Sequence, residues 1–108
     1  MTVIWHNPRC SKSRQTLAIV QAKDPFHKVR LYLQDPPSAD EIREVLAKLQ
    51  MKAAQLVRRG EAAFKDGTED ELIALMAENP ILIERPIVIV GNQAVIGRPP
   101  EDALDLFD

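Results

Sequence analysis

The chain contains one cysteine, Cys10, in the run His6-Asn7-Pro8-Arg9-Cys10-Ser11-Lys12-Ser13-Arg14. A thiol attacks as its thiolate, which is favoured by nearby cations and by the unpaired N–H groups at the start of a helix. Both are expected at Cys10. Residues 1–23 carry Arg9, Lys12, Arg14 and Lys23 with no Asp or Glu, and His6 is a further base close by. Residues 99–108 carry Glu101, Asp102, Asp105 and Asp108 with no base, so the cysteine lies in the acid-free part of an uneven charge distribution. The backbone N–H groups of Ser11, Lys12 and Ser13, with the hydroxyls of Ser11 and Ser13, offer a place for phosphate-like oxygens without a glycine-rich loop. A lone cysteine is often a small buried hydrophobe. Its place at a helix start among bases favours the nucleophile instead.

The neighbours of Cys10 narrow the chemistry. Cys10-Ser11-Lys12-Ser13 keeps only the first thiol of a Cys-x-x-Cys pair, so an oxidised or substituted Cys10 has to be released by an outside thiol. A phosphatase-type loop needs an arginine six positions after its cysteine, and here that position is Thr16. One Cys and two His supply neither an internal disulfide nor a good metal site, so no metal is expected. A net charge of -2 gives no reason to expect nucleic-acid binding. No apolar run reaches the roughly 18 residues of a membrane span, and Met1-Thr2-Val3-Ile4-Trp5 leads straight into polar residues without a signal-peptide core. The expected location is the cytoplasm.

The elements that would position Cys10 are readable by periodicity. Val3–Trp5 predicts a short strand, closed by the loop around Pro8, and a helix from Ser11 runs to the breaker Asp24-Pro25 with Leu17 and Val20 for burial. Val29, Leu31 and Leu33 alternate with Arg30 and Tyr32, the period-two pattern of a second strand ending at Gln34-Asp35-Pro36-Pro37. Ser38 with Glu41 and Thr68 with Glu71 are capping boxes that open helices carrying Ile42, Val45, Leu46, Leu49 and Leu72, Leu75, Met76. A short helix is expected between them near Ala53–Val57. Ile87–Val90 and Ala94–Ile96 flank Gly91-Asn92 as an antiparallel hairpin, and Pro99-Pro100-Glu101 leads into a last short helix. This order predicts an α/β fold: one mixed sheet with an α-helical insertion near residues 38–80, in a single domain over 1–108. A cleft between sheet and insertion is the expected ligand site, with Cys10 facing it. Trp5 and Tyr32 are assigned to packing.

The blocks Trp5-His6-Asn7-Pro8-Arg9-Cys10, Ser13-x-x-Thr16-Leu17, Leu56-Val57-Arg58-Arg59, Asn79-Pro80-Ile81-Leu82-Ile83-Glu84-Arg85-Pro86-Ile87-Val88 and Ile96-Gly97-Arg98-Pro99 together closely resemble the glutaredoxin-linked arsenate reductase family, over nearly the whole chain. The resemblance implies a thioredoxin-like fold with an inserted helical subdomain. It implies that Cys10 attacks arsenate to give a Cys-S-arsenate ester, to which glutathione adds before glutaredoxin reduces it and arsenite leaves. It places oxyanion binding on Arg58, Arg85 and Arg98 and thiol tuning on His6 and Ser13, and it makes Arg85-Pro86 a cis proline turn. Glutathione is then a co-substrate, no cofactor is tightly bound, and the working form is a monomer. The best-known members have glycine after the cysteine and a longer tail; Ser11 and the end at Asp108 resemble a shorter bacterial branch. Two alternatives stand beside this reading: a glutathione-linked reductase of another acceptor, and a Spx-type redox regulator that binds RNA polymerase. The Cys-x-x-Cys switch of that second class is interrupted by Ser13.

Overall fold

A computed structural model describes residues 1–107; Asp108, part of the acidic run noted above, lies outside the described residues. The four strands β1 (Thr2–Trp5), β2 (Lys28–Arg30), β3 (Ile87–Val90) and β4 (Gln93–Ile96) form one mixed sheet in the order β2-β1-β3-β4. β1 runs parallel to β2 and antiparallel to β3, and β3 runs antiparallel to β4. Helix α1 (Ser11–Lys23) connects β1 to β2, as a parallel pair requires. Helices α2 (Ala39–Leu49), α3 (Ala53–Leu56) and α4 (Glu69–Glu78) and the 3-10 turn Pro80–Leu82 lie between β2 and β3 in the chain. A terminal 3-10 helix, Pro100–Phe107, closes the described structure. This is the α/β, thioredoxin-like fold expected from the sequence.

Side chains alternate across the sheet, and each face has its own core. Ile4 and Val88 pack with Val20 of α1 and Ala103 of the terminal helix. Trp5 and Ile87 face the other way, into a larger core with Ile42, Val45 and Leu46 of α2, Leu56 of α3 and Leu72 and Met76 of α4. Each fully buried branched or aromatic side chain contributes about 1.5–3 kcal/mol. The helices that build the larger core start where their capping boxes do: Ser38 accepts from the Glu41 N–H and Thr68 from the Glu71 N–H, and each glutamate accepts from the cap backbone in return. In the hairpin, Gly91 takes the positive φ of 59° that the turn between β3 and β4 requires.

The second strand corrects the sequence reading. It stops at Arg30, where Leu31 begins a turn by accepting from the N–H groups of Gln34 and Asp35. The apolar set is the solvated one, with Val29 43%, Leu31 36% and Leu33 36% exposed, while Tyr32 is fully buried. β2 is an edge strand, and the inner side next to Trp5 is taken by Arg30, whose guanidinium lies 5.6 Å from the Trp5 ring centre.

Candidate active site

Register brings the chemistry-bearing segments to one end of the sheet. Trp5 pairs with Ile87 and Ile87 with Ile96, so the loop after β1, the residues before β3 and the residues after β4 emerge together. Those segments carry Cys10, Arg85 and Arg98 respectively. Arg58 arrives from the helical part by a different route. Val57 bridges Ile83, the Arg58 N–H donates to Leu82 O at 2.7 Å and the Glu84 N–H donates to Leu56 O at 3.0 Å. These bonds set Arg58 beside Glu84. The approach of the β4 end to α1 needs Gly97. A Cβ there would stand 2.5 Å from Thr16 Oγ1 and 2.8 Å from its methyl carbon, and Thr16 itself is fully buried.

Cys10 is the N-cap of α1, with extended backbone and no side-chain capping bond, and the first turn of that helix contains no acid. In α2 and α4 the corresponding N–H groups are taken by Ser38 and Thr68 and flanked by acids. At α1 they point to sulfur. Burial pushes the half-buried thiol up, but the backbone N–H groups of Ser13 and Lys12 and then the guanidiniums of Arg98 and Arg85 outweigh it, so the thiol is lowered from its ordinary 9.0. Arg98 Nη1 lies 3.8 Å from Cys10 Sγ and donates to Arg85 O at 3.0 Å. The cations that act on sulfur therefore come from the far end of the chain, 88 residues away for Arg98, rather than from Arg9, Lys12 and Arg14 as the local charge pattern suggested. Arg14 donates instead to Pro8 O at 2.9 Å.

His6 and Ser13, the positions expected to tune the thiol, meet in the loop before α1. Ser13 is fully buried, its hydroxyl accepting from the Asn7 N–H at 3.0 Å and lying 2.6 Å from His6 Nδ1. The imidazole tautomer sets which of the two donates in that bond. His6 is held neutral below its usual 6.5, first by burial and then by the charge of Arg14. It is thus not a cation beside the thiol. Ser13 reaches Cys10 through its backbone N–H, and its hydroxyl is turned inward rather than toward an oxyanion.

The three arginines expected at the site do converge, together with two carboxylates that the sequence reading left without a role. Glu84 Oε1 lies 3.4 Å from Arg58 Nη1 and 3.7 Å from Arg98 Nη1, and accepts from the Arg85 backbone N–H at 3.3 Å. Glu61 Oε1 lies 3.5 Å from Arg58 Nε and 4.0 Å from Arg85 Nη1. Sequence held a signal for both: Glu84 directly precedes Arg85, and Glu61 follows Arg58 by three. Arg85, with only 14% of its side chain exposed, has Nε and Nη1 buried without a hydrogen-bond partner among the described residues. The Tyr32 hydroxyl is likewise buried and makes no hydrogen bond within geometric limits among the described residues. Burial pushes that phenol up to about 12 against the opposing pull of Arg85, so it is a donor at any ordinary pH. Arg85-Pro86 is cis, as the resemblance implied, and so is Arg98-Pro99.

Two grooves adjoin the segments that carry Cys10 and Arg98. One, of about 230 Å³, is lined by His6, Pro8, Arg9, Leu31 and Leu33; the other, of about 410 Å³, runs from Arg98 along β4 to Asp102 and Asp105. No group of three His, Cys, Asp or Glu is placed to hold a metal, and no helix is long and apolar enough to cross a membrane, among the described residues. The arrangement joins a thiol with a depressed pKa to guanidinium donors that have spare bonding capacity, which suits attack on an oxyanion.

The ArsC family model matches residues 5–106. The arsenate reductase of Haemophilus influenzae is 40% identical, with 97% of each chain covered. The uncharacterized protein YfgD of Escherichia coli K12 is 42% identical, with 95% of this chain and 93% of its own covered. The solved structure of an arsenate reductase from Vibrio cholerae superposes with a TM-score of 0.90 at 39% identity, covering 97% of this chain and 96% of its own. The chain belongs to the ArsC family.

Proposed function

We propose that the chain is a thiol-dependent oxidoreductase that reduces arsenate to arsenite, with Cys10 as nucleophile and Arg58, Arg85 and Arg98 as the oxyanion-binding groups. The observation that carries the reading is the Arg98 Nη1 to Cys10 Sγ contact of 3.8 Å, made within a cluster that also holds the other two arginines. An arsenate oxygen in this cluster would satisfy the unpartnered Arg85 donors. The thiolate displaces one arsenate oxygen, which leaves as water after protonation, and a Cys10 S–As bond forms. Glutathione then adds at arsenic. A glutaredoxin thiolate attacks the glutathione sulfur, forming a mixed disulfide and leaving the As–S electron pair on arsenic, so As(V) becomes As(III), and water then hydrolyses the Cys10 S–As bond to release arsenite and regenerate the thiol. His6 and Ser13 fix the loop that carries Cys10, and Ser13 gives its backbone N–H to the thiolate. In this reading the protein acts in the cytoplasm as a monomer, with glutathione as co-substrate and no tightly bound cofactor.

The test mixes the purified protein with arsenate and glutathione, with and without glutaredoxin, and follows NADPH consumption through glutathione reductase. Turnover is expected only with both thiol components. Activity that persists in Cys10→Ser would exclude the mechanism, and a wild type whose reactive thiolate leaves arsenate untouched would exclude the substrate.

A further inference from the structure

We propose that Glu84 is a resident competitor for the oxyanion: its carboxylate holds the arginines that the substrate must take over, and so it sets oxyanion affinity and discriminates against multiply charged anions. This rests on the reading that Arg58, Arg85 and Arg98 bind an oxyanion.

Three features of the geometry support it. First, one oxygen, Glu84 Oε1, meets Arg58 Nη1 at 3.4 Å, Arg98 Nη1 at 3.7 Å and the Arg85 backbone N–H at 3.3 Å, which is the convergence a bound oxyanion oxygen would make. The Arg98 nitrogen involved is the one that reaches Cys10 Sγ, so the carboxylate and the reacting sulfur share a donor. Second, these contacts are loose. Charge-assisted bonds from guanidinium to carboxylate settle near 2.7–2.9 Å. Every arginine–glutamate pair in this cluster is longer, and Arg85 Nε and Nη1 are buried without a hydrogen bond among the described residues, Nη1 having only the 4.0 Å ion pair with Glu61. An anion of the right shape gains short bonds and fills idle donors, and Glu84, 29% exposed, has water to turn toward. Third, the charges nearly cancel. The guanidiniums of Arg58, Arg85 and Arg98 face the carboxylates of Glu61 and Glu84, which leaves a single positive charge beside Cys10. A monoanion meets a cluster near neutrality. A dianion is repelled unless Glu84 withdraws, and at these separations an uncompensated carboxylate is a strong selector.

Glu84→Gln keeps the shape and removes the charge. The readouts are KM for arsenate and competitive inhibition by sulfate and perchlorate, tetrahedral oxyanions carrying two charges and one. Glu84→Gln should lower KM and strengthen sulfate inhibition by about tenfold, the change that ~1.4 kcal/mol produces, with a smaller gain for perchlorate. A part in orienting the arginines would instead raise KM and weaken both inhibitors, and that result, or no change in either, overturns the proposal while leaving the oxyanion reading intact. If neither protein binds or turns over any oxyanion, the oxyanion reading falls and the proposal with it. Should Glu84→Gln fail to fold, wild type alone decides: sulfate inhibiting no better than perchlorate supports the competitor, and sulfate clearly preferred overturns it.

Discussion

Two arginine clusters in this molecule differ in how their donors are spent. At the β2 edge, Arg30 stacks over Trp5, donates from Nε to Asp35 O and from Nη2 to Pro36 O, and pairs through Nη1 with Glu41. Asp35 gives a second carboxylate at 3.4 Å. One cation faces two anions there, and every guanidinium nitrogen has a partner. At the Cys10 end three guanidiniums face two carboxylates at longer range, and Arg85 keeps two buried nitrogens without a hydrogen bond among the described residues. The first cluster is complete and ties the edge strand to the start of α2. The second leaves bonding capacity beside a nucleophile. Unsatisfied buried donors are costly to a fold, by about 1–3 kcal/mol each, so their concentration near the thiol points to a ligand rather than to packing.

The difference can be broken from either side. The largest effect is expected at Arg98 and Arg85: replacement of either by Ala should reduce arsenate turnover by about 100-fold or more, as loss of a transition-state charge donor does, with little change in melting temperature. Steady-state kinetics beside thermal melts would show it, and normal turnover in both variants, and in Arg58→Ala, would remove the three-arginine site. Arg30→Ala should do the reverse, lowering stability by about 1–3 kcal/mol through lost hydrogen bonds and packing on Trp5 while leaving kcat near wild type. Equal behaviour of Arg30 and Arg98 variants in both assays would erase the distinction.

Gly97→Ala sharpens the positional half of the comparison. Its methyl group would press on Thr16 and displace the β4 end that carries Arg98, so activity should fall and the thiol pKa rise in the same variant. Next in size is the thiol itself. Its pKa, read from thiolate absorbance against pH, should lie below 9.0 in wild type and move up in Arg98→Ala, since Arg98 is one of the groups that lower it. An unchanged midpoint would assign the depression to the α1 N–H groups and Arg85.

The smallest effect concerns Glu41, whose carboxyl is held down to about 2 first by the Arg30 hydrogen bond and then by the Ser38 N–H. A carboxylate lowered in the folded state stabilises it above the unfolded value of 4.5, and the contribution is lost as pH falls from 4.5 toward 2. Glu41 is 43% exposed, so solvent screens much of it. Acid melts of wild type and Glu41→Gln should converge at the bottom of that window, whereas the same comparison at neutral pH should separate them slightly.

Local chemistry was legible in the chain, and long-range geometry was not. Cys10 at the start of α1, the boxes at Ser38 and Thr68 and the Gly91 hairpin follow from periodicity, capping and turn preferences, which act over a few residues. Arg58, Arg85 and Arg98 were found through resemblance, since nothing within reach of each arginine says that they meet. Their meeting depends on the register of Trp5, Ile87 and Ile96 and on the Val57–Ile83 bridge, pairings between residues far apart in the chain. The same cause hid the rest. Arg9, Lys12 and Arg14 are near Cys10 in sequence, yet distant arginines tune the sulfur. Val29, Leu31 and Leu33 alternate like an inward face, yet the sheet edge and the Arg30–Trp5 stack turn them to water. Glu61 and Glu84 have no role in the sequence reading until the fold places them among the guanidiniums. Sequence determined which groups were available and where helices and turns begin, because those are local free-energy choices. Tertiary structure decided which charges share a site, because an electrostatic partner is defined by distance in space.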